Sequence, residues 1–513
     1  MSLIDYLDKG ASIDPARPCL VTDGEVLTYA DVQNFSFQVA RALAASGVRP
    51  GDKVAILSSN DPLAFISVFG ISRAGAIWCP INPRNEATEN RQLLELFDCS
   101  CLIFQSTYSP MVEKIAADLP ELTTYVCLDS TTTLGVDFHS WLTAAPTDTN
   151  PGAAVTPERT VMLVGTGGTT GAPKGVELSA ANIDIMTALT LMSYPFEDAP
   201  VYLAMAPLTH AAGVLCFPIM TRGGRIVIMR QPDVPQFLRL IESHRVTHTF
   251  LPPTLIYMAL TDPTAHTTDY SSLQCFWYGA APISPTRLSE AIDTFGPVMA
   301  QLFGQSEAPM MISTMAPRDH FDASDAKALS RFASAGHPTP LTTVAIMGKD
   351  GMLLPQGETG EIVVRGPLVM TGYYKNPEAT ADASKFGWHH TGDIGYLDED
   401  NYLFIVDRAK DMIITGGFNV YSVEVEQALM KHPSVLEAAV VGLPDDKWGE
   451  RVVAVVQPAE GATVDVAEIT AHVKALVGSV KTPKNIHVWY DLPRSKVGKV
   501  LKTDIRLALL TSD

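Results

Sequence analysis

The sequence predicts an α/β protein in two parts. A large N-terminal domain of layered sheets and helices, with a β-rich subdomain, precedes a small α+β C-terminal domain. Three observations predict this. The chain has 513 residues, too many for one hydrophobic core. Its first third alternates short apolar runs with amphipathic segments at the rhythm of a mostly parallel sheet. Near residue 400 a hairpin-rich β pattern gives way to about a hundred residues of mixed helix and strand, enough for a separate domain.

Each element has a local reason. Cys19 to Thr22 and Val26 to Tyr29 flank Asp23-Gly24, a hairpin signal between two short strands. Ala30 to Ala45 carries apolar residues near helical spacing and stops at Gly47. Lys53 to Leu57 reads as a buried strand, Pro62 to Ala74 as a helix and Ala76 to Ile81 as a strand. The alternation resumes at Thr160 to Val164, Arg225 to Met229 and Thr247 to Phe250. Gly351 to Val364 and Gly395 to Val406 read as hairpins. Ser422 is expected to cap a helix through Met430 that His432-Pro433 ends. Strands at Ala438 to Gly442, Val452 to Val456 and Ile486 to Tyr490 and a helix from Val464 to Val477 complete the small domain. The expected joint is the charged run Asp407-Arg408-Ala409-Lys410-Asp411, which divides the chain into residues 1–407 and 408–513.

Composition removes several classes of function. Lys and Arg number 37 against 56 Asp and Glu, a net charge of −19. Such a surface repels nucleic-acid phosphate and anionic lipid, so neither is expected as a partner. The seven cysteines form no C-x-x-C pair and sit mostly in apolar runs, which suits buried thiols in a reducing compartment. Met1 to Asp8 has no basic start and no apolar run, so no signal peptide is expected. Val201 to Met220, the most apolar stretch, contains His210 and two prolines; it is read as buried strand and loop, not a membrane span. Thr511-Ser512-Asp513 is no peroxisomal address. The expectation is a cytoplasmic protein, with a homodimer left open.

The strongest chemical signal is Thr166-Gly167-Gly168-Thr169-Thr170-Gly171-Ala172-Pro173-Lys174-Gly175, directly after the apolar run Val161-Met162-Leu163-Val164. Clustered glycines let backbone N–H groups converge on a polyanion, the threonines add hydroxyl donors, and Lys174 adds a point charge. A flexible surface turn needs neither the paired threonines nor the Pro-Lys exit. The run is no Walker A loop, since Lys174 precedes glycine instead of Ser/Thr, and no GxGxxG opens a helix here.

This loop resembles the TSGTTGxPKG segment of the adenylate-forming superfamily, which includes acyl-CoA synthetases, luciferases and peptide-synthetase adenylation domains. Six further segments resemble that family in order. They are Ala206-Pro207-Leu208-Thr209-His210, Tyr278-Gly279-Ala280-Ala281-Pro282, Phe303-Gly304-Gln305-Ser306-Glu307 and Gly387-Trp388-His389-His390-Thr391-Gly392-Asp393. The last two are Asp407-Arg408 through Gly416-Gly417-Phe418-Asn419, and Pro493-Arg494-Ser495-Lys496-Val497-Gly498-Lys499.

The resemblance implies a two-step acid–CoA ligase using ATP, CoA and Mg²⁺, with a mobile C-terminal domain. It assigns Thr166, Gly167, Gly168, Thr169, Thr170, Gly171 and Lys174 to the phosphates. It places Gly279, Ala280, Ala281, Phe303 and Gly304 about the adenine, Ser306 at the α-phosphate, Glu307 on the metal and Asp393 with Arg408 on the ribose. Lys499 becomes the adenylation lysine: the reacting carboxylate and phosphate repel until one is neutralised, and a single ammonium does that. His210 becomes a positioning residue at the acyl pocket. Asp407 becomes the hinge, and Gly416, Gly417 and Phe418 line the thiol tunnel. Taken singly, Glu307 reads as an exposed acid, Asp393 as a turn former, His210 as a core group and Lys499 as part of a basic terminal run.

Departures from the family pattern are Gly167 for serine, Phe303 for tyrosine, Ser306 for threonine and Lys502 for arginine. None removes a required group. The stretch from Thr209 to Val214 holds no acid to meet an ammonium, which argues against amino-acid substrates. The expected pocket lining, Val214, Thr254, Tyr257, Pro309 and Met310, is mostly apolar and favours a fatty acid, with an aryl acid next. Met310, Met311 and Met315 read equally well as pocket or as core. Arg222, Lys481 and Lys484 are candidates for the CoA nucleotide or plain surface charges. The alternatives are an acyl-AMP ligase loading a carrier protein, a luciferase-like oxidase, and a non-catalytic nucleotide-binding protein.

Overall fold

The computed structural model describes residues 1–147, 156–166, 173–209, 211–320, 330–494 and 500–512. Two large sheets form the N-terminal part. In the first, strands Met299–Gln305, Cys275–Gly279, His248–Leu251, Val201–Ala204, Arg225–Ile228 and Pro18–Thr22 run parallel in that order. Antiparallel strands close both edges: Glu25–Thr28 on one side, Ala308–Met315 and then His337–Pro338 on the other. In the second, Lys53–Leu57 lies parallel between Ile77–Ile81 and Cys99–Phe104. Beyond Ile77–Ile81 come Thr160–Thr166, then the antiparallel strands Lys174–Ser179 and Gly372–Tyr373.

Helices Tyr29–Ala45, Pro62–Arg73 and Ala180–Ser193 contribute to a core cluster that also takes side chains from both sheets. Pro62–Arg73 is buried at ten of its twelve positions, as expected of a helix covered on all sides. Asp61 caps it by accepting from the amides of Leu63 and Ala64. All seven cysteines are free and buried.

A four-stranded antiparallel sheet follows, in the order Thr343–Met347, Gly360–Arg365, His389–Leu397, Leu403–Arg408. Past it, residues 413–488 build a separate five-stranded sheet around the long hairpin Val435–Asp445 and Gly449–Pro458. Helices Ser422–Met430 and Val466–Lys481 pack on it with their own core. This is the layered α/β architecture with a smaller α+β unit that the sequence predicts.

Three local expectations change. The stretch after Val201–Ala204 contains short helices Ala211–Val214 and Cys216–Thr221, not only strand and loop; Pro218 sits within the second helix. Leu3–Ile13 is an unanticipated helix that buries Leu3, Tyr6 and Leu7. Ser422 is the first residue inside its helix, not the cap, and its hydroxyl goes elsewhere. No helix among the described residues is long and apolar enough to cross a membrane.

Candidate active site

The site forms where parallel strands end, the place such sheets leave for ligands. Glu307 and Ser306 follow strand Met299–Gln305, Ala280 and Ala281 follow Cys275–Gly279, and Thr254 lies just past His248–Leu251. Thr166 and Lys174 face one another across the hairpin of the second sheet. The Thr166 hydroxyl donates to the Lys174 carbonyl at 3.4 Å.

Segment 370–374 joins the two sheets at this point. The Met370 amide donates to the Glu307 carbonyl at 2.7 Å, and the Tyr374 amide to the Gly175 carbonyl at 2.7 Å. Tyr373 stands between them. Its hydroxyl donates to Glu307 Oε1 at 2.8 Å, and Lys174 Nζ lies 4.8 Å from its ring centroid. One side chain thus connects the exit of the glycine-rich loop with the acid. Burial and the Glu307 charge push the Tyr373 phenol well above its ordinary range, so it stays a proton donor to that carboxylate.

Gly304 is required by close approach. A Cβ there would come within 2.3 Å of the Met310 amide nitrogen and 2.7 Å of the Ala308 carbonyl. The tight hairpin brings Phe303, Gly304, Ser306 and Glu307 back along Pro309 and Met310, and Met310 itself has φ +58°. Gln305 Nε2 donates to the Thr391 carbonyl at 3.3 Å, which ties this hairpin to the Thr391-Gly392-Asp393 turn. Asp393 is 4% exposed, and Arg408 Nε meets its Oδ1 at 2.8 Å. The two residues are also backbone partners across neighbouring strands.

Buried Asn60 pins the segment leading to the acyl side. It donates to the Ala206 carbonyl at 3.1 Å and accepts from the Leu208 amide at 2.8 Å. Val214, Pro309 and Met310 are buried, and Thr254 is half-buried. The Tyr257 oxygen accepts from the Ser284 amide at 3.0 Å, and burial pushes this phenol up to about 12. Met311 and Met315 are fully buried and belong to the core rather than the lining.

Gly416 and Gly417 have φ of +57° and +83°, as a left-handed turn requires. The Gly416 amide donates to the Trp448 carbonyl at 2.7 Å. Phe418 is 61% exposed beside this turn. Lys481 is engaged by Glu424 at 2.6 Å, Lys484 Nζ is 3.5 Å from the Ser479 carbonyl, and Arg222 reaches the Phe196 carbonyl at 3.3 Å. Gly167, Gly168, Thr169, Thr170, Gly171, His210 and Lys499 lie outside the described residues. Tyr373 and Asn60, absent from the motif reading, belong with the site; the Gly-Tyr-Tyr of 372–374 gave no chemical signal on its own.

Residues 7–374 match the family described as AMP-binding enzyme, and residues 424–499 match the AMP-binding enzyme C-terminal domain. A medium/long-chain-fatty-acid–CoA ligase of Mycobacterium tuberculosis is 37% identical over 505 residues, covering 96% of this chain and 87% of that protein. A feruloyl-CoA synthase of an Amycolatopsis species is 34% identical over 500 residues and covers 97% of each chain. Among solved structures, the amide bond synthetase from Marinactinospora thermotolerans superposes with a TM-score of 0.90 at 29% identity, covering 99% of each chain.

Proposed function

The chain belongs to the AMP-binding enzyme family and is an adenylate-forming acid–CoA ligase; from that premise we propose its substrate class and the residues that carry each step. The acid is hydrophobic, a fatty acid first and an aryl acid second. The lining at Val214, Thr254, Tyr257, Pro309 and Met310 supports this reading. Of the similar proteins named above, one is named as a medium/long-chain-fatty-acid–CoA ligase and another as a feruloyl-CoA synthase.

In the first step a carboxylate oxygen attacks the α-phosphorus of ATP. The bond to the bridging oxygen breaks, and pyrophosphate leaves with its electron pair. Lys174 and the Thr166 loop hold the terminal phosphates, Asp393 with Arg408 holds the ribose, and Lys499 neutralises the meeting anions. Glu307 fits a magnesium ion: it is a hard oxygen donor bonded to Tyr373, whose ring lies 4.8 Å from Lys174 Nζ, and magnesium takes one or two carboxylates plus substrate phosphates. When bound, that ion supplies charge neutralisation to the leaving pyrophosphate. What remains for the protein is positioning and electrostatics.

In the second step the thiol sulfur of CoA attacks the acyl carbonyl, the thiol proton leaves, and AMP departs. The domains, residues 1–407 and 408–513, rotate about Asp407 between steps, withdrawing Lys499 and presenting the Gly416-Gly417 turn.

The observation that carries this reading is the meeting of Lys174, Tyr373 and Glu307 where both sheets end. The test is acid-dependent release of pyrophosphate and AMP from MgATP across fatty, aryl and short-chain acids, with and without CoA. Turnover that needs CoA and favours a hydrophobic acid is expected. Pyrophosphate release that CoA never accelerates would assign the acyl group to another acceptor, such as a carrier protein.

A further inference from the structure

Asp407 belongs to two bodies at once. Its backbone lies in strand Leu403–Arg408, opposite Ile394 of the four-stranded sheet. Its carboxylate, 1% exposed as a residue, reaches into the C-terminal unit. There Oδ1 accepts from the Ser422 hydroxyl at 2.8 Å and from the Arg408 amide at 2.7 Å, and Oδ2 accepts from the Ser422 amide. Tyr421, the flanking residue of helix Ser422–Met430, offers no side-chain cap. Asp407 caps that helix from a distance instead, satisfying an amide that has no partner within the helix.

Lys502, the first residue of the terminal helix Lys502–Ser512, closes the arrangement. Its Nζ lies 2.5 Å from Ser422 Oγ and 2.7 Å from Glu426 Oε1. The same Glu426 oxygen accepts from the Val440 amide at 2.7 Å. The Lys502 and Glu426 side chains are 18% and 11% exposed. One ammonium therefore serves two buried carboxylates and joins the hinge strand, helix Ser422–Met430, strand Val435–Asp445 and the terminal helix. Burial pushes the Asp407 and Glu426 carboxyls up while Lys502 acts against that rise. Buried ion pairs add little net stability over apolar packing, so geometry is the better account of such a cluster.

We propose that Lys502 is a positioning residue for the ligase reaction: through Ser422 and Glu426 it holds the hinge carboxylate and so sets where the C-terminal unit stands for each half-reaction. This deepens the reading above and rests on it, because it takes Asp407 as the hinge. Lys502 touches no reacting atom.

The test measures the two half-reactions separately in the full-length chain. The first is decanoate-dependent ATP–pyrophosphate exchange, with ferulate replacing decanoate if an aryl acid is preferred. The second is conversion of supplied acyl-adenylate to acyl-CoA. Lys502→Met is expected to change the ratio of the two rates by about tenfold or more, the scale that small misplacements produce. Lys502→Arg, which can reach both Ser422 and Glu426, restores the ratio. A purely structural role lowers both rates together, so a Lys502→Met ratio within about twofold of the parent overturns the proposal. If Lys502→Met does not fold, Ser422→Ala carries the test, since it keeps the Lys502–Glu426 pair and removes the hydroxyl link; an unchanged ratio there overturns the proposal equally. Lys499→Ala serves as the control. It should lose the first half-reaction and keep the second, and a Lys499→Ala enzyme unimpaired in exchange would refute the underlying reading instead.

Discussion

A single phenol holds Glu307, the acid that the proposed function sets toward the phosphates. Tyr373 donates to Glu307 and lies under Lys174, so Tyr373→Phe should raise the KM for MgATP about tenfold while the melting temperature moves little. That is the scale of one lost hydrogen bond to a charged acceptor. Initial rates across an ATP titration at fixed magnesium check it, and an unchanged KM contradicts the role. Asp393→Ala removes a buried carboxylate paired with Arg408; the expected result is a rise in the KM for ATP, on the order of a hundredfold, with the acid's KM nearly constant. Lys174 drew notice through its glycine-rich run, whereas Glu307 and Asp393 taken singly read as an exposed acid and a turn former and were singled out only by the resemblance of their motifs. Tyr373 was not, since its role comes from strand Gly372–Tyr373 pairing beside Val176. Nor was Asn60, which acts through carbonyls 146 residues away.

Two elements make testable demands on the backbone. The hairpin that carries Ser306 and Glu307 depends on Gly304, whose missing Cβ admits the Met310 backbone. Gly304→Ala should slow acyl-adenylate formation by at least about tenfold, because the turn must open and move Glu307; pyrophosphate exchange measures it. Strand His248–Leu251 places His248 between Phe196 and Trp277, with ring centroids 4.4 and 5.1 Å away. Burial lowers His248 to about 4, and His320 likewise to about 4. Between pH 6.5 and 4 the unfolded chain binds protons that these folded histidines refuse. Their contribution is therefore present above about pH 6.5 and lost as pH falls toward 4, roughly 3 kcal/mol each across the whole window. Denaturant midpoints should drop steadily from pH 7 to pH 5, and His248→Gln should shallow that slope even while lowering overall stability. The strands near these sites were legible from apolar runs bounded by turns, as Lys53–Leu57 and Pro18–Thr22 illustrate. The helices after Val201–Ala204 were not, because a short buried apolar run gives no periodicity to separate helix from strand. Ser422 looked like a cap by residue type, yet its hydroxyl serves Asp407, a partner fifteen positions back.

In the proposed function the molecule divides its labour between a large body that holds ATP and acid and a smaller one that visits it. The change of pattern near residue 400 was enough to see two units, and the ordered motifs were enough to see the chemistry. The buried cluster that fastens the joint was invisible, because Asp407, Ser422, Glu426 and Lys502 meet only once the terminal helix is docked. Division of labour makes a prediction at this scale. Gly417 has φ +83°, so Gly417→Val should strain the turn and slow thioester formation while pyrophosphate exchange stays near the parent rate. Lys499→Ala should do the reverse.

The most direct measurement is a single turnover with enzyme in excess over a labelled hydrophobic acid, first with MgATP alone and then with CoA. The account predicts one enzyme-bound acyl-adenylate and one pyrophosphate per molecule of acid supplied before CoA is added, then one acyl-CoA and one AMP per molecule of acid after it. Formation of ADP and phosphate, or of thioester without a prior adenylate, would contradict it.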